Sequence, residues 1–173
     1  RSVLDGQSFN NSILFVMDTN SLSYMQNSDI LGVAEHVVLI DHHRRSGNFI
    51  SNTSLTYHEP YASSTCEMVT EMLSYISDEN ILLKIEAEAL YAGIYLDTKS
   101  FTFKTGVRTL DAAAYLRRSG IDPVVVKQFF KTNLETFTMR ATLIQGAKVF
   151  HGHIAISMDE NVYSPSLVAQ AAD

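Results

Sequence analysis

Apolar residues recur along this chain in two rhythms, and the change from one to the other marks out its elements. Near the start stand two short runs of branched and aromatic residues, Ile13-Leu14-Phe15-Val16-Met17 and Val37-Val38-Leu39-Ile40. Continuous apolar runs of this length, bounded by polar residues, predict strands buried on both faces of a parallel sheet. A short helix is predicted between them near 29–35, so the chain opens as a βαβ-like unit. Another short strand is predicted at Phe49-Ile50, and Pro60 argues against helix through Tyr57-His58-Glu59-Pro60-Tyr61.

From Ser64 the period becomes helical. Ser64-Thr65-Cys66-Glu67 has capping-box spacing, and Met68, Met72, Leu73 and Ile76 form one apolar stripe. The next helix is predicted from about Asn80 to Leu96. Its apolar positions, Ile81, Leu82, Ile85, Ala89, Leu90 and Ile94, go far enough round to predict cover on most sides. A helix over 107–119 should stop at Gly120, a natural left-handed C′ residue, and Asp122-Pro123 opens another. A long helix at 134–149, a strand at 154–157 and a helix begun by Ser164-Pro165 complete the series. The order predicts the α/β class: a parallel sheet with flanking helices, then a connector helix, then the start of a smaller α/β domain. Composition shifts after Phe150, and the three parts are placed at 1–131, 132–150 and 151–173.

Size and charge narrow the function. With 173 residues, 46% of them hydrophobic, the chain can bury a substantial core, which excludes disorder. A net charge of -6 gives no general attraction for polyanions, so duplex nucleic acid is disfavoured and any phosphate must be held by local cations or metal. The lone Cys66 excludes an intrachain disulfide and a cysteine zinc site, which fits a reducing compartment. No apolar stretch approaches the roughly 20 residues that span a bilayer, so any membrane anchor is expected outside this chain. The chain starts without a cap or strand and stops inside a helix, and we expect it to be a fragment.

Both early strands end in acid, at Asp18-Thr19-Asn20 and at Asp41-His42-His43. Parallel neighbours deliver such ends into one crevice. The 80–96 helix ends the same way, at Asp97-Thr98. Asp18, His42 and Asp97 thus combine carboxylate and imidazole, which suits divalent manganese, iron or zinc, and the lack of thiolate favours manganese. The alternative is that the acids are caps and the histidines are satisfied by backbone carbonyls. Around them, Arg44 and Arg45 could clamp a phosphate or remain on a solvated loop. Ser63 and Ser64 begin a turn that suits an anion and is equally well explained as a helix cap. Lys99 and Arg108 could neutralise phosphate or form structural pairs. His151 and His153 alternate onto one face of a strand as surface residues, and Cys66 reads as a small buried hydrophobe.

Four ordered blocks resemble the DHH phosphoesterase superfamily: Asp18-Thr19-Asn20, Asp41-His42-His43-Arg44-Arg45, Glu59-Pro60-Tyr61-Ala62-Ser63-Ser64-Thr65, and Gly93 to Asp97-Thr98-Lys99-Ser100-Phe101 with Gly106-Val107-Arg108-Thr109. The last three blocks, in this extended form, are most similar to membrane-anchored bacterial phosphodiesterases of cyclic-di-AMP. The resemblance implies a DHH domain followed by the opening of a DHHA1 substrate domain, and a cytoplasmic location. It implies two Mn²⁺ ions, or another divalent metal, with Asp18 bridging and His42 and Asp97 on one ion. His43 would face the phosphate, with Asp41 orienting an imidazole; Arg44, Arg45, Ser63, Ser64, Lys99 and Arg108 remain the candidates for substrate contact on the grounds given above. The expected reaction opens cyclic-di-AMP to pApA. Other implied outcomes are a nanoRNase or pAp phosphatase, a pyrophosphatase, an exonuclease, or a non-catalytic nucleotide-binding module; homodimerisation stays open. The family's first metal motif has no counterpart upstream of Asp18, so this fragment alone should be a poor enzyme.

Overall fold

The computed structural model describes residues 11–45, 47–76 and 81–172. Two compact units divide between Phe129 and Phe130. The first is built on a parallel sheet of order β1-β2-β3, comprising β1 (Ile13–Met17), β2 (His36–Asp41) and β3 (Leu55–His58). Val16 pairs with Leu39, Met17 with Ile40, and Asp41 with His58, so all three strands end at the same edge. Central β2 is covered on both faces. Val37 and Leu39 join Val16 and Ile50 in one cluster, while Ile40 packs with Ala62 and Met68 in another. Leu39 is wholly buried, and truncating such a side chain to Ala typically costs about 2–5 kcal/mol.

Four helices complete this unit: α1 (Thr65–Ile76), α2 (Lys84–Asp97), α3 (Val107–Arg118) and α4 (Pro123–Gln128). Ala87, Ile94, Ala112, Leu116 and Ile121 form their common core. Asp122 caps α4 by accepting from Val124 N–H at 2.9 Å, with Pro123 in its first turn. Gly120, just past α3, has φ +86°, the left-handed conformation that a side chain would oppose.

Three expectations for this unit are corrected. Phe49 makes only an isolated bridge with Ser21, and the third strand lies instead at Leu55–His58. The 29–35 helix is a 3₁₀ turn over Ser28–Gly32. Helix α2 is not covered on most sides: Ile85 and Leu96 are exposed, because Ala87 and Ile94, seven residues apart, are the positions that face α1, α3 and α4. The Asn80 start falls outside the described residues.

The second unit contains α5 (Leu134–Gln145), an antiparallel pair of β4 (Lys148–Phe150) and β5 (Ile154–Ile156), and α6 (Pro165–Ala172). Helix α5 is shorter than expected, ending at Gly146, because Lys148 onward is taken up by pairing with β5. Leu143 and Leu167 are the buried contacts of α5 and α6. His151 and His153 do not share a strand face. His151 has φ +51° in the tight turn between β4 and β5, and the His153 ring meets its carbonyl at 2.6 Å. Among the described residues no helix is long and apolar enough to cross a membrane.

Candidate metal centre

The parallel register brings the ends of β1 and β2 side by side. Asp18 follows β1 with its N–H on the Ile40 carbonyl, 3.0 Å away. It has φ +62°, a conformation that costs a non-glycine residue about 1–2 kcal/mol and that accumulates at functional sites. The turn aims its carboxylate across the strand ends, where Thr65 at the start of α1 donates to Oδ1 at 3.0 Å. His42 Nε2 lies 3.5 Å from that Oδ1 and 3.7 Å from Asp97 Oδ2 at the end of α2. Ligand atoms of Asp18, His42 and His43 all fall within 4.8 Å of one another.

Protonation chemistry decides whether a cation fits. His42 Nδ1 lies 3.3 Å from the Ala62 carbonyl oxygen, which can only accept, so Nδ1 carries the proton. In the neutral ring the Nε2 lone pair then points at two carboxylates, three electron-rich atoms with no hydrogen between them. A proton or a metal ion between them removes that repulsion. Two ligands each about 2.1 Å from one divalent ion stand roughly 3–3.5 Å apart, close to the separations found. The donor set therefore suits a divalent cation. Burial pushes the Asp97 carboxyl above its ordinary 3.8, with Asp18 adding in the same direction and His42 opposing.

Asp41 is fully buried and directs its neighbours. Its Oδ1 accepts from His43 Nδ1 at 2.8 Å, and its Oδ2 accepts from Asn20 at 2.6 Å and from the His43 N–H at 3.0 Å. Asn20 also donates to the His43 carbonyl at 3.0 Å, and His58 from the end of β3 reaches the same oxygen at 2.6 Å. His43 is therefore held from three strand ends. Asn20, His58 and Thr65 carry this work, and spacing along the chain did not mark them for it.

The remaining sequence candidates disperse. Arg44 lines a cleft of about 990 Å³ together with His42, His43, Tyr61 and Lys104. Arg45 stacks over Phe49 with its guanidinium 4.4 Å from the ring centre. Ser63 donates to Glu67 at 2.5 Å, and Ser64 accepts from the Glu67 N–H at 3.0 Å, so both buried hydroxyls serve the start of α1. Arg108 binds Glu71 through two nitrogens at 2.7 and 2.6 Å and reaches Tyr57 at 3.2 Å, in a separate groove also lined by Tyr75 and Tyr115. Lys99 begins a run of left-handed residues, Lys99, Ser100 and Phe101, with φ of 46°, 63° and 61°. Buried Thr98 holds that run: its carbonyl accepts from Thr102 and Phe103, both at 2.8 Å, and its hydroxyl accepts from Phe101 at 2.9 Å.

Residues 3–94 match the DHH family, N-terminal domain. The chain belongs to the DHH family. It is 45% identical over 94% of its length to a cyclic-di-AMP phosphodiesterase, PdeA, of Listeria monocytogenes, and 45% identical over 94% to the Bacillus subtilis enzyme GdpP. It spans about a quarter of those relatives, 25% of each. Among solved structures, an exopolyphosphatase-related protein from Bacteroides fragilis superposes with TM-score 0.73 at 22% identity, covering 84% of this chain and 44% of that one. A putative family II inorganic pyrophosphatase of Methanococcus jannaschii gives 0.51 at 21% identity, covering 78% of this chain and 44% of that one. At these identities the structural matches support the DHH fold alone.

Proposed function

We propose that this DHH domain is part of a divalent-metal phosphodiesterase that opens cyclic-di-AMP to pApA. One observation carries the reading: the His42 Nε2 lone pair converges with Asp18 and Asp97 beside a large cleft that Arg44 also lines. The names of the PdeA and GdpP relatives supply the substrate. Asp18, His42 and Asp97 would hold metal, with Asp18, the residue at φ +62°, bridging two Mn²⁺ ions. Metal bound there supplies activation of water and compensation of charge at phosphorus. His43, its ring fixed by Asp41, would present its other nitrogen to the phosphate, and Arg44 would contribute a guanidinium at the same end. Thr65 keeps Asp18 oriented. We place the working enzyme in the cytoplasm, carried by a membrane-anchored protein.

Asp18→Ala tests the reading in the full-length protein. Calorimetric titration with Mn²⁺ should show affinity falling by at least about tenfold, and chromatography should show pApA formation lost while circular dichroism stays native. A metal-replete, active Asp18→Ala protein would exclude the bridging role.

A further inference from the structure

A cyclic dinucleotide carries two phosphodiesters. When one sits at the Asp18–His42–Asp97 cluster, the other keeps a full negative charge inside a chain whose own net charge is -6. The charge of this stretch offers it no general attraction, and a cation on the wall of the same cleft would offset it at short range. The cations around the site divide clearly. Arg108 is committed to Glu71 and Tyr57, and Arg45 to the Phe49 ring. Arg44 leaves the same strand end as His43 and is assigned above to the reacting phosphate. Lys104 is different: it lines the same cleft from the α2–α3 connection, no side-chain hydrogen bond occupies its ammonium among the described residues, and its charge is felt at the Asp97 carboxyl, which it helps to hold ionised.

Its backbone adds a second, independent observation. Lys104 has φ +48°, and it closes a connection that began with the three left-handed residues after Thr98. None of those four residues is glycine, so each disfavours its conformation by about 1–2 kcal/mol. Strain of this kind persists where the surrounding structure over-determines it, and it clusters where a side chain must be aimed. Here the determining contacts run through Thr98, the residue next to Asp97, so the loop that carries Lys104 is tied to the metal-ligand end of α2.

We propose that Lys104 holds the non-reacting phosphate of the dinucleotide, in a subsite of the His42–His43–Arg44 cleft, and that Tyr61 on the lip of that cleft stacks the adjoining base. Tyr61 is 92% exposed. An unburied aromatic ring beside a cation is the arrangement that grips unpaired nucleotides without reading their sequence. An ammonium on a flexible stem suits the phosphate, because it neutralises charge without demanding two-point geometry. The proposal rests on the phosphodiesterase reading above.

The test uses the full-length protein with Mn²⁺ and two substrates: cyclic-di-AMP, and bis(p-nitrophenyl) phosphate, a diester with no second phosphate. Lys104→Met keeps the stem and removes the charge. It should raise KM for the dinucleotide by about 10–100-fold, the loss of one charge-assisted contact, with at least a tenfold smaller effect on the small diester; Lys104→Arg should restore most of it. Tyr61→Ala should also raise KM selectively, and Tyr61→Phe should not. Equal losses on both substrates would show that Lys104 acts through Asp97 and the metal, and would overturn the subsite, as would no loss on either. A wild-type protein that leaves cyclic-di-AMP intact overturns the phosphodiesterase reading and the subsite together. Wild-type turnover without selectivity in the Lys104 variant overturns the subsite alone.

Discussion

Gly93 sits in the interior of α2, where glycine is ordinarily a defect: replacing it with alanine in an open helix stabilises by about 1 kcal/mol. At this position the sign should reverse. A Cβ built on Gly93 would collide with the Cys66 Sγ on α1 and lie 3.1 Å from the Cys66 Cβ. The Sγ overlap, far inside van der Waals contact, is the larger conflict, and it is relieved only by turning the thiol on its one torsion or by separating α1 and α2; the Cβ contact asks for a few tenths of an ångström. Overpacking of this kind costs about 1–3 kcal/mol, and subtracting the helix-propensity gain leaves Gly93→Ala destabilised by up to about 2 kcal/mol. The movement would also reach the site, since α1 carries Thr65, the partner of Asp18, and α2 ends at Asp97. Urea denaturation of wild type, Gly93→Ala, Cys66→Ala and the double variant measures the coupling. In the Cys66→Ala background the Sγ is gone, and Gly93→Ala should become neutral or stabilising, giving an interaction energy of about 1–3 kcal/mol. A Gly93→Ala protein more stable than wild type with Cys66 intact would show that the helices do not meet here as described.

Asp97→Asn should raise the melting temperature of the metal-free protein at neutral pH. The folded carboxyl keeps its proton better than the unfolded one, so its stabilising influence is present below 3.8 and is lost as pH rises through its raised value. The amide has no charge to bury, and calorimetry showing no gain would refute the argument. The same substitution should abolish Mn²⁺-induced stabilisation, read from the melting curve with and without metal. Burial, then Asp97 and Asp18, push the Cys66 thiol from 9.0 up to about 11, so alkylation at pH 8 should be far slower than for free cysteine. Because the unfolded thiol ionises first, stability should also fall between about pH 9 and 11; fast labelling of native protein at pH 8 would contradict both. Asn20→Ala should destabilise by about 1.5–3 kcal/mol, since it removes a donor to the buried Asp41 carboxylate. It should lower turnover by loosening His43, and an unchanged denaturation midpoint would exclude that role.

What could be read in advance follows from the range of each signal. Asp18, His42 and Asp97 stand out because each follows an apolar run, a pattern complete within about six residues. Parallel pairing then assembles them without further instruction. Asn20 is different, because its partner Asp41 lies 21 positions away and the link exists only across the sheet. Thr65 has a sufficient local explanation near the start of α1, and that explanation conceals its bond to Asp18, 47 positions distant. Strand β3 escaped because Leu55-Thr56-Tyr57-His58 is short and polar-flanked; its identity comes from pairing with β2. The surroundings of α2 were misjudged because apolar character all round a helix does not say which neighbours are present to cover it.

The left-handed connection after Asp97 is the deepest of these omissions, and its cause is instructive. Glycine is the usual sign of such a turn, yet Lys99, Ser100, Phe101 and Lys104 all adopt it without one. Summed, their conformations disfavour the fold by about 4–8 kcal/mol. Opposing this are the three hydrogen bonds that Thr98 accepts, its own donation to the Ile94 carbonyl at 2.6 Å, and the Phe101 ring set 5.5 Å from Tyr91 and 6.1 Å from Tyr95. Each is ordinary in strength, about 0.5–1.5 kcal/mol apiece, so the balance is close. A glycine at 99 or 101 would relieve the strain and would also let the loop sample other conformations. Side chains there trade stability for a fixed path, and that path begins at Asp97 and ends at Lys104 on the wall of the cleft.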